Sequence, residues 1–75
     1  MTRYRNLGGD SGVIAYEIEA ESITVEFMDS SIYLYNYTAT GQQNVDRMKV
    51  LAEAGRGLNS FINTYVRKAY SRKLR

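Results

Sequence analysis

The 75-residue sequence predicts an α+β fold with the order β-β-β-α-α, in which a three-stranded antiparallel sheet is followed by two helices packed on one face. Two observations support this order. Three segments between residues 13 and 37 alternate apolar and polar residues with a period of two, as half-buried strands do. Beyond residue 40 the apolar residues recur every three or four positions, as they do on one face of a helix.

The predicted strands cover residues 13–20, 22–28 and 31–37, and short turns at Ala20-Glu21 and Asp29-Ser30 separate them. If both turns are two-residue hairpin loops, counting gives the register of the sheet. The residues that then face each other are all apolar and share one side of the sheet. These predicted pairs are Ile18 with Ile23, Tyr16 with Val25, Ile14 with Phe27, Phe27 with Ile32, and Val25 with Leu34.

The third predicted strand carries a row of tyrosines at every second position, namely Tyr33, Tyr35 and Tyr37. The predicted register places this row on the sheet face opposite the helices, between carboxylates such as Glu17 and Glu26. Because those carboxylates would repel a phosphate backbone, we interpret the row as ordinary sheet first, a protein contact second and a base-stacking surface last. Tyrosine suits protein contacts because it offers apolar area together with a hydroxyl group.

The first helix is predicted to begin near Thr40 and to end near Ala54. Thr40 and Gln43 have the spacing of a capping box, and the glycines of "GRG" at residues 55–57 would end the helix. Four residues form its apolar stripe: Val45, Met48, Leu51 and Ala52.

The second helix is predicted to begin at Leu58 and to pack as far as about Tyr70. Its amphipathic face contains Leu58, Phe61, Ile62, Tyr65, Val66 and Ala69. The whole chain then reads as one domain, with residues 1–11 as a flexible lead-in and residues 71–75 as a projecting basic tail. The predicted core consists of Tyr16, Val25, Phe27, Leu34, Phe61, Ile62 and Val66.

The composition argues against an enzyme. The chain has no histidine and no cysteine, which removes zinc sites, disulfides and most general acid–base arrangements, so we expect no metal and no cofactor. The segment "GDSG" at residues 9–12 would offer Ser11 as a nucleophile, but no histidine is present to act as its base. Without cysteine, a signal peptide or a membrane-length apolar run, the expected location is cytoplasmic, away from any membrane.

Charge is distributed unevenly along the chain. Residues 6–46 contain seven acidic residues and no basic one, whereas residues 47–75 contain eight basic residues and one acidic residue. Such an asymmetry suggests RNA or another polyanion as a partner, although cations near a helix C-terminus are also favoured by the helix dipole. The candidate nucleic-acid contacts are Arg56, Arg67, Lys68, Tyr70, Arg72, Lys73 and Arg75.

Several short motifs resemble the KTSC domain, a small module named for its place at the C-terminus of some lysyl-tRNA synthetases and also found as a stand-alone bacterial protein. The matching features are "DSGVIAY" leading into the first strand, Tyr33 and Tyr35 in the third, and "INTYVRKAY" with Asn63, Val66, Arg67 and Tyr70 in the second helix. The likeness covers roughly residues 10–70. The chain departs from the family at Asp29-Ser30, where a glycine is expected, and in having no proline after the tyrosines.

The resemblance implies RNA binding, which the synthetase context suggests for the family. The first hypothesis is therefore a non-enzymatic module that binds RNA through its basic C-terminal helix and tail. The alternative is a protein-interaction or self-association module that uses Tyr33, Tyr35 and Tyr37 to contact a protein partner or a second copy of the chain. In the third interpretation the tyrosines only cover the sheet.

Overall fold

The structure, a computed structural model, describes residues 1–9 and 11–75 and shows an α+β fold. Asp10, part of the predicted lead-in, lies outside the described residues. The described strands form one antiparallel sheet in chain order: β1 (Thr2–Arg3), β2 (Val13–Glu19), β3 (Ser22–Phe27), β4 (Ile32–Asn36) and β5 (Arg72–Lys73). The helices are α1 (Tyr37–Thr40), α2 (Gln42–Ala54) and α3 (Leu58–Phe61), and α3 continues into a π-helical turn (Ile62–Val66). The predicted α+β class is confirmed, but both edge strands and α1 were not predicted.

The first hairpin has the predicted register near its turn and departs from it at the start of β2. Two predicted pairs are present: Tyr16 with Val25 and Ile18 with Ile23. A β-bulge between Val13 and Ala15 then places Val13, rather than Ile14, opposite Phe27. Val13 is buried and Ile14 is exposed, so the predicted pairing of Ile14 is wrong. A bulge inserts one extra residue into a strand. The sequence pattern does not reveal the bulge here, because Val13 and Ile14 are both apolar and either could face the core.

The second hairpin differs from the prediction by one residue. Its loop contains three residues, Met28 to Ser30, because the Phe27 amide donates a hydrogen bond to the Ser31 carbonyl over 2.9 Å. Tyr33 therefore lies opposite Val25, and β4 is turned over relative to the prediction, since a one-residue slip sends every side chain to the other face. Two predicted pairs are consequently wrong: Phe27 with Ile32 and Val25 with Leu34.

The inverted strand changes the core. Tyr35 is buried at 2% exposure on the helix-facing side, whereas Leu34 lies on the outer face and is not a core residue. Four predicted core residues are buried, Tyr16, Val25, Ile62 and Val66, while Phe27 and Phe61 are partly buried and pack against them. Five further buried residues belong to the predicted apolar faces, namely Ile23, Val45, Met48, Ala52 and Leu58. The buried apolar residues that no predicted apolar face contained are Tyr4, Val13 and Tyr35.

The three-residue loop holds Ser30 in the left-handed region, with φ at 74°. Loops of this length commonly end in a residue of that conformation, and glycine adopts it without steric cost. Asp29 stabilises the turn because its carboxylate accepts hydrogen bonds from the Ser31 amide at 3.0 Å and the Ser31 hydroxyl at 2.6 Å.

Replacing Ser30 with Gly should raise the free energy of unfolding by about 0.5–1 kcal/mol. The substitution removes a left-handed penalty of about 1–2 kcal/mol and adds a smaller entropic cost in the unfolded chain. Urea unfolding followed by circular dichroism measures the difference. Ser60→Gly is the matched control, because the same exchange inside helix α3 should be destabilising. A lower stability for Ser30→Gly would contradict the loop conformation.

The first long helix begins differently from the prediction. Asn36 caps the short helix α1 by accepting the Ala39 amide at 2.8 Å, and Gly41, with φ at 96°, separates α1 from α2. Thr40 is therefore not the N-cap of α2, and its hydroxyl instead donates to the Ala69 carbonyl over 2.6 Å. The predicted end at Ala54 is confirmed, because Gly55 in the left-handed region closes the helix.

The second helical segment is shorter and wider than predicted. Leu58, Ile62 and Val66 are buried at a spacing of four residues, which places them on one face of the segment. Tyr65, predicted for the apolar face, is 67% exposed. None of the helices in residues 1–9 and 11–75 combines the length and hydropathy needed to cross a bilayer.

Both ends of the chain pack on the sheet. In the predicted flexible lead-in, β1 pairs with β2, and the buried Tyr4 accepts the Leu58 amide on its hydroxyl at 3.3 Å. The predicted projecting tail, residues 71–75, instead contains β5, which pairs with β4. The Ser71 amide donates to Leu34 and the Leu74 amide to Ile32, at 2.6 and 2.7 Å.

Candidate functional site

An open cleft of about 410 Å³ lies between the β3–β4 hairpin and the π-helical turn. This volume falls in the range of small-molecule sites. The cleft is lined by Gly12, Phe27, Met28, Asp29, Ser31, Tyr33, Tyr35, Ile62, Asn63, Arg67 and Tyr70. It combines aromatic rings with polar and charged groups, and it joins parts of the chain that are far apart in sequence.

Three tyrosines form the aromatic part of the cleft. The corrected register of β4 turns Tyr33 and Tyr35 toward the helices, where both meet Tyr70. The centroid of the Tyr70 ring lies 4.7 Å from that of Tyr33 and 6.5 Å from that of Tyr35, in edge-to-face arrangements that aromatic pairs favour. Phe27 extends the cluster at 5.8 Å from Tyr33.

Tyr70 is held in place by hydrogen bonds on both sides. The carbonyl of Ala69, just before it, accepts the Thr40 hydroxyl, and the amide of Ser71, just after it, donates to the Leu34 carbonyl. These bonds connect the end of the helical segment to the α1–α2 junction and to strand β4. The position of the Tyr70 ring therefore depends on contacts with two distant segments.

Arg67 and Asp29 bring opposite charges to the cleft. Arg67 follows the π-helical turn and is exposed, and Lys73 adds a second cation with its Nζ atom 5.7 Å from the centroid of the Tyr33 ring. The hydroxyl and amide of Ser31 donate to Asp29 and hold the pKa of its carboxyl below the usual value, so Asp29 is ionised at neutral pH.

Tyr35 contributes a neutral hydroxyl group. Burial raises the pKa of Tyr35 well above its usual value, and the neighbouring Tyr33 and Tyr70 raise it further. The phenol therefore stays protonated across the physiological range and can donate or accept a hydrogen bond. Asn63 and Ser31 add further neutral groups of this kind to the lining.

The predicted nucleic-acid residues are dispersed. Arg67 and Tyr70 line the cleft, Lys73 lies over the Tyr33 ring, and Lys68 is exposed just beyond the π-helical turn. The other three lie elsewhere. Arg72 is on the outer sheet face opposite Leu34, Arg75 contacts Glu26 at 3.5 Å, and Arg56 lines a separate polar pocket of about 200 Å³.

The predicted protein-contact row does not exist as one exposed strip. Tyr33 and Tyr35 face the helices, so the predicted position of the row on the outer face is wrong. Tyr37 begins helix α1 and donates its hydroxyl to Asp46 at 2.7 Å, which raises the pKa of the phenol. The carboxylates of Glu17 and Glu26 lie on the opposite face of the sheet and do not flank the tyrosines.

Sequence reasoning did not place Asp29, Ser31 or Gly12 in a site. Asp29 was interpreted as a turn residue, Ser31 as the first residue of the third strand and Gly12 as part of the "GDSG" segment, and none of these patterns indicates a ligand. One signal did point to the cleft, because several residues quoted for the KTSC resemblance line it together. They are Gly12, Tyr33, Tyr35, Ile62, Asn63, Arg67 and Tyr70.

Comparisons with protein-family models, with curated proteins and with solved structures find no match to this chain. The resemblance to the KTSC domain gains no support from them and stays a prediction. The cleft is therefore interpreted from its own chemistry.

Proposed function

We propose that the protein is a small non-enzymatic module that binds single-stranded RNA, with one nucleotide held in the cleft. The observation that carries this proposal is the meeting of three tyrosine rings with Arg67 in a cavity of about 410 Å³. Aromatic side chains beside a cation are the usual means of holding an unpaired base and its phosphate. Membership of the KTSC domain, a bacterial source and a cytoplasmic location are proposed with it.

The corrected register removes the main objection to base stacking on the tyrosines. That objection was repulsion of phosphates by Glu17 and Glu26, which lie on the other face of the sheet. Tyr70 is 37% exposed, so part of its ring is accessible to a base. Each stacked base contributes about 1–3 kcal/mol in comparable single-strand sites.

The cations around the cleft favour a short contact with the backbone. Arg67 can hold a phosphate with two parallel hydrogen bonds, and Lys73, whose Nζ atom lies over the Tyr33 ring, can contact a neighbouring phosphate. Arg75 contacts Glu26, and Arg72 faces away from the cleft. Two or three phosphate contacts predict a slope of log affinity against log salt of about −1.5 to −2, and a micromolar or weaker affinity.

Arg67→Ala should weaken binding of a fluorescein-labelled single-stranded RNA by about tenfold or more at low salt, because it removes the bidentate phosphate contact and one side of the cleft. Lys68→Ala is the matched control: it removes the same charge from the neighbouring exposed position and should weaken binding only about two- to threefold. Fluorescence-anisotropy titrations measure both affinities.

Two results would reject the proposal in different ways. If the unaltered protein does not bind RNA at low salt, the function is wrong. If Arg67→Ala and Lys68→Ala weaken binding equally, RNA is attracted by net charge alone and the cleft is not its site. Circular dichroism of both variants checks that the fold is retained.

A further inference from the structure

The sheet has a second surface that the cleft does not use. All helices pack on the side of Ile23, Val25 and Tyr35, which leaves the outer face of β2 to β5 without a covering element among the described residues. An antiparallel sheet can leave one face in water. Exposure of this face therefore does not by itself indicate a contact surface. The arrangement of charged residues on the face does.

One row of cross-strand neighbours on this face has opposite charges at its two ends. The register places Glu17 of β2 opposite Thr24, Thr24 opposite Leu34, and Leu34 opposite Arg72 of β5. The row thus begins with a carboxylate, ends with a guanidinium group and has a threonine and a leucine at its centre. In residues 1–9 and 11–75 the one salt bridge joins Arg75 to Glu26, so neither end of the row has an ionic partner.

This row is complementary in charge to the same row of a second copy that runs in the opposite direction, because the acidic end of each row then meets the basic end of the other. In a two-fold symmetric contact the same patch occurs on both copies, so a residue at one end meets the residue at the other end. If the axis runs along the strands between β3 and β4, Glu17 meets Arg72 of the second copy at both ends of the row. Leu34 then meets Thr24 of the second copy, with the two sheets about 10 Å apart.

We infer that a second copy of this chain docks on the outer face of the sheet, with Glu17 and Arg72 forming two symmetric ion pairs. Leu34, which is half-buried, supplies the apolar part of the contact at the centre of the row. This contact on the outer face is separate from the cleft, since Tyr33 and Tyr35 point to the other side of the sheet. The inference does not depend on the proposed function.

The contact should be weak and concentration-dependent. Four strands spaced about 4.8 Å apart give a face well below the roughly 800 Å² per partner of a standard stable interface. Exposed ion pairs contribute little and are screened by salt. We therefore expect association in the range of tens to hundreds of micromolar at low ionic strength, and less association at high ionic strength.

Charge exchange at the two ends of the row tests this contact by sedimentation velocity up to about 1 mM protein at low salt. Glu17→Lys alone and Arg72→Glu alone should each weaken self-association about tenfold or more, because like charges then meet at both ends. An equimolar mixture of the two single variants should associate again, since each new lysine faces a new glutamate and each retained arginine faces a retained glutamate.

Thr24→Lys, at the centre of the row, is a second variant that should also weaken association about tenfold, and circular dichroism verifies that every variant is folded. Self-association of the unaltered chain that both single variants lose and their mixture regains supports the inference. A chain that stays monomeric at 1 mM overturns it, as does a mixture that does not associate.

Discussion

Replacement of Tyr35 by Ala should lower the free energy of unfolding by about 3–5 kcal/mol. The side chain is 2% exposed, its ring lies against Tyr70, and its removal would leave a cavity beneath the helices. A domain of this length has a total stability of only about 4–11 kcal/mol, so the variant should be marginally folded at room temperature. Urea unfolding monitored by tyrosine fluorescence and circular dichroism measures the loss.

Leu34→Ala is the matched control for this prediction, because it alters the adjacent residue on the opposite face of the same strand. Leu34 is half-buried on the outer face, so its replacement should cost about 1 kcal/mol or less at protein concentrations where the chain is monomeric. With the register predicted from the sequence, Leu34→Ala would instead lower the free energy of unfolding more than Tyr35→Ala. A larger loss for Leu34→Ala would therefore contradict the three-residue loop between β3 and β4.

Deletion of residues 71–75 should lower the free energy of unfolding by about 1–3 kcal/mol. The deletion removes strand β5 and the backbone hydrogen bonds from Ser71 and Leu74 to β4, each contributing about 1 kcal/mol. It also uncovers the edge of β4, and an unpaired edge promotes association with other chains. Thermal unfolding and light scattering at increasing protein concentration measure the two effects.

A variant in which Arg72, Lys73 and Arg75 are all replaced by Ala separates the strand from its charges. This variant keeps the backbone of β5 and removes the same three charges as the deletion. Its free energy of unfolding should fall by clearly less than that of the deletion variant. Light scattering should show no association of this variant at the concentration where the deletion variant associates. Equal behaviour of the two proteins would show that the charges, and not the strand, stabilise this end of the chain.

The sequence predicted the hairpin between β3 and β4 but not its register. In β4 both sets of alternate residues are apolar or aromatic, with Ile32 and Leu34 on one face and Tyr33 and Tyr35 on the other. Alternation therefore identified the strand but did not distinguish its two faces. The loop length decides between them, and three residues fit here because Asp29 holds the turn and Ser30 adopts the left-handed conformation.

The cleft could be predicted only in part for a related reason. Arg67, Tyr70, Tyr33 and Tyr35 were all identified as candidates, but the first two were assigned to RNA and the others to a protein contact. Their common location follows from the inverted strand and the π-helical turn. Neither feature has a distinct residue pattern, because each shifts a register by one position without changing which residues are apolar.

Local patterns in the sequence determined the α+β class, the three central strands, the end of α2 at Gly55 and most of the helical apolar face. These features depend on the period of two or 3.6 residues and on the conformational freedom of glycine, which neighbouring residues reveal. Tertiary structure alone decided which face of β4 is buried, that both termini become edge strands, and that Tyr33, Tyr35, Arg67 and Tyr70 share one cleft. The physical reason is that strand register and the pairing of two-residue strands depend on contacts between distant segments, which no local pattern records.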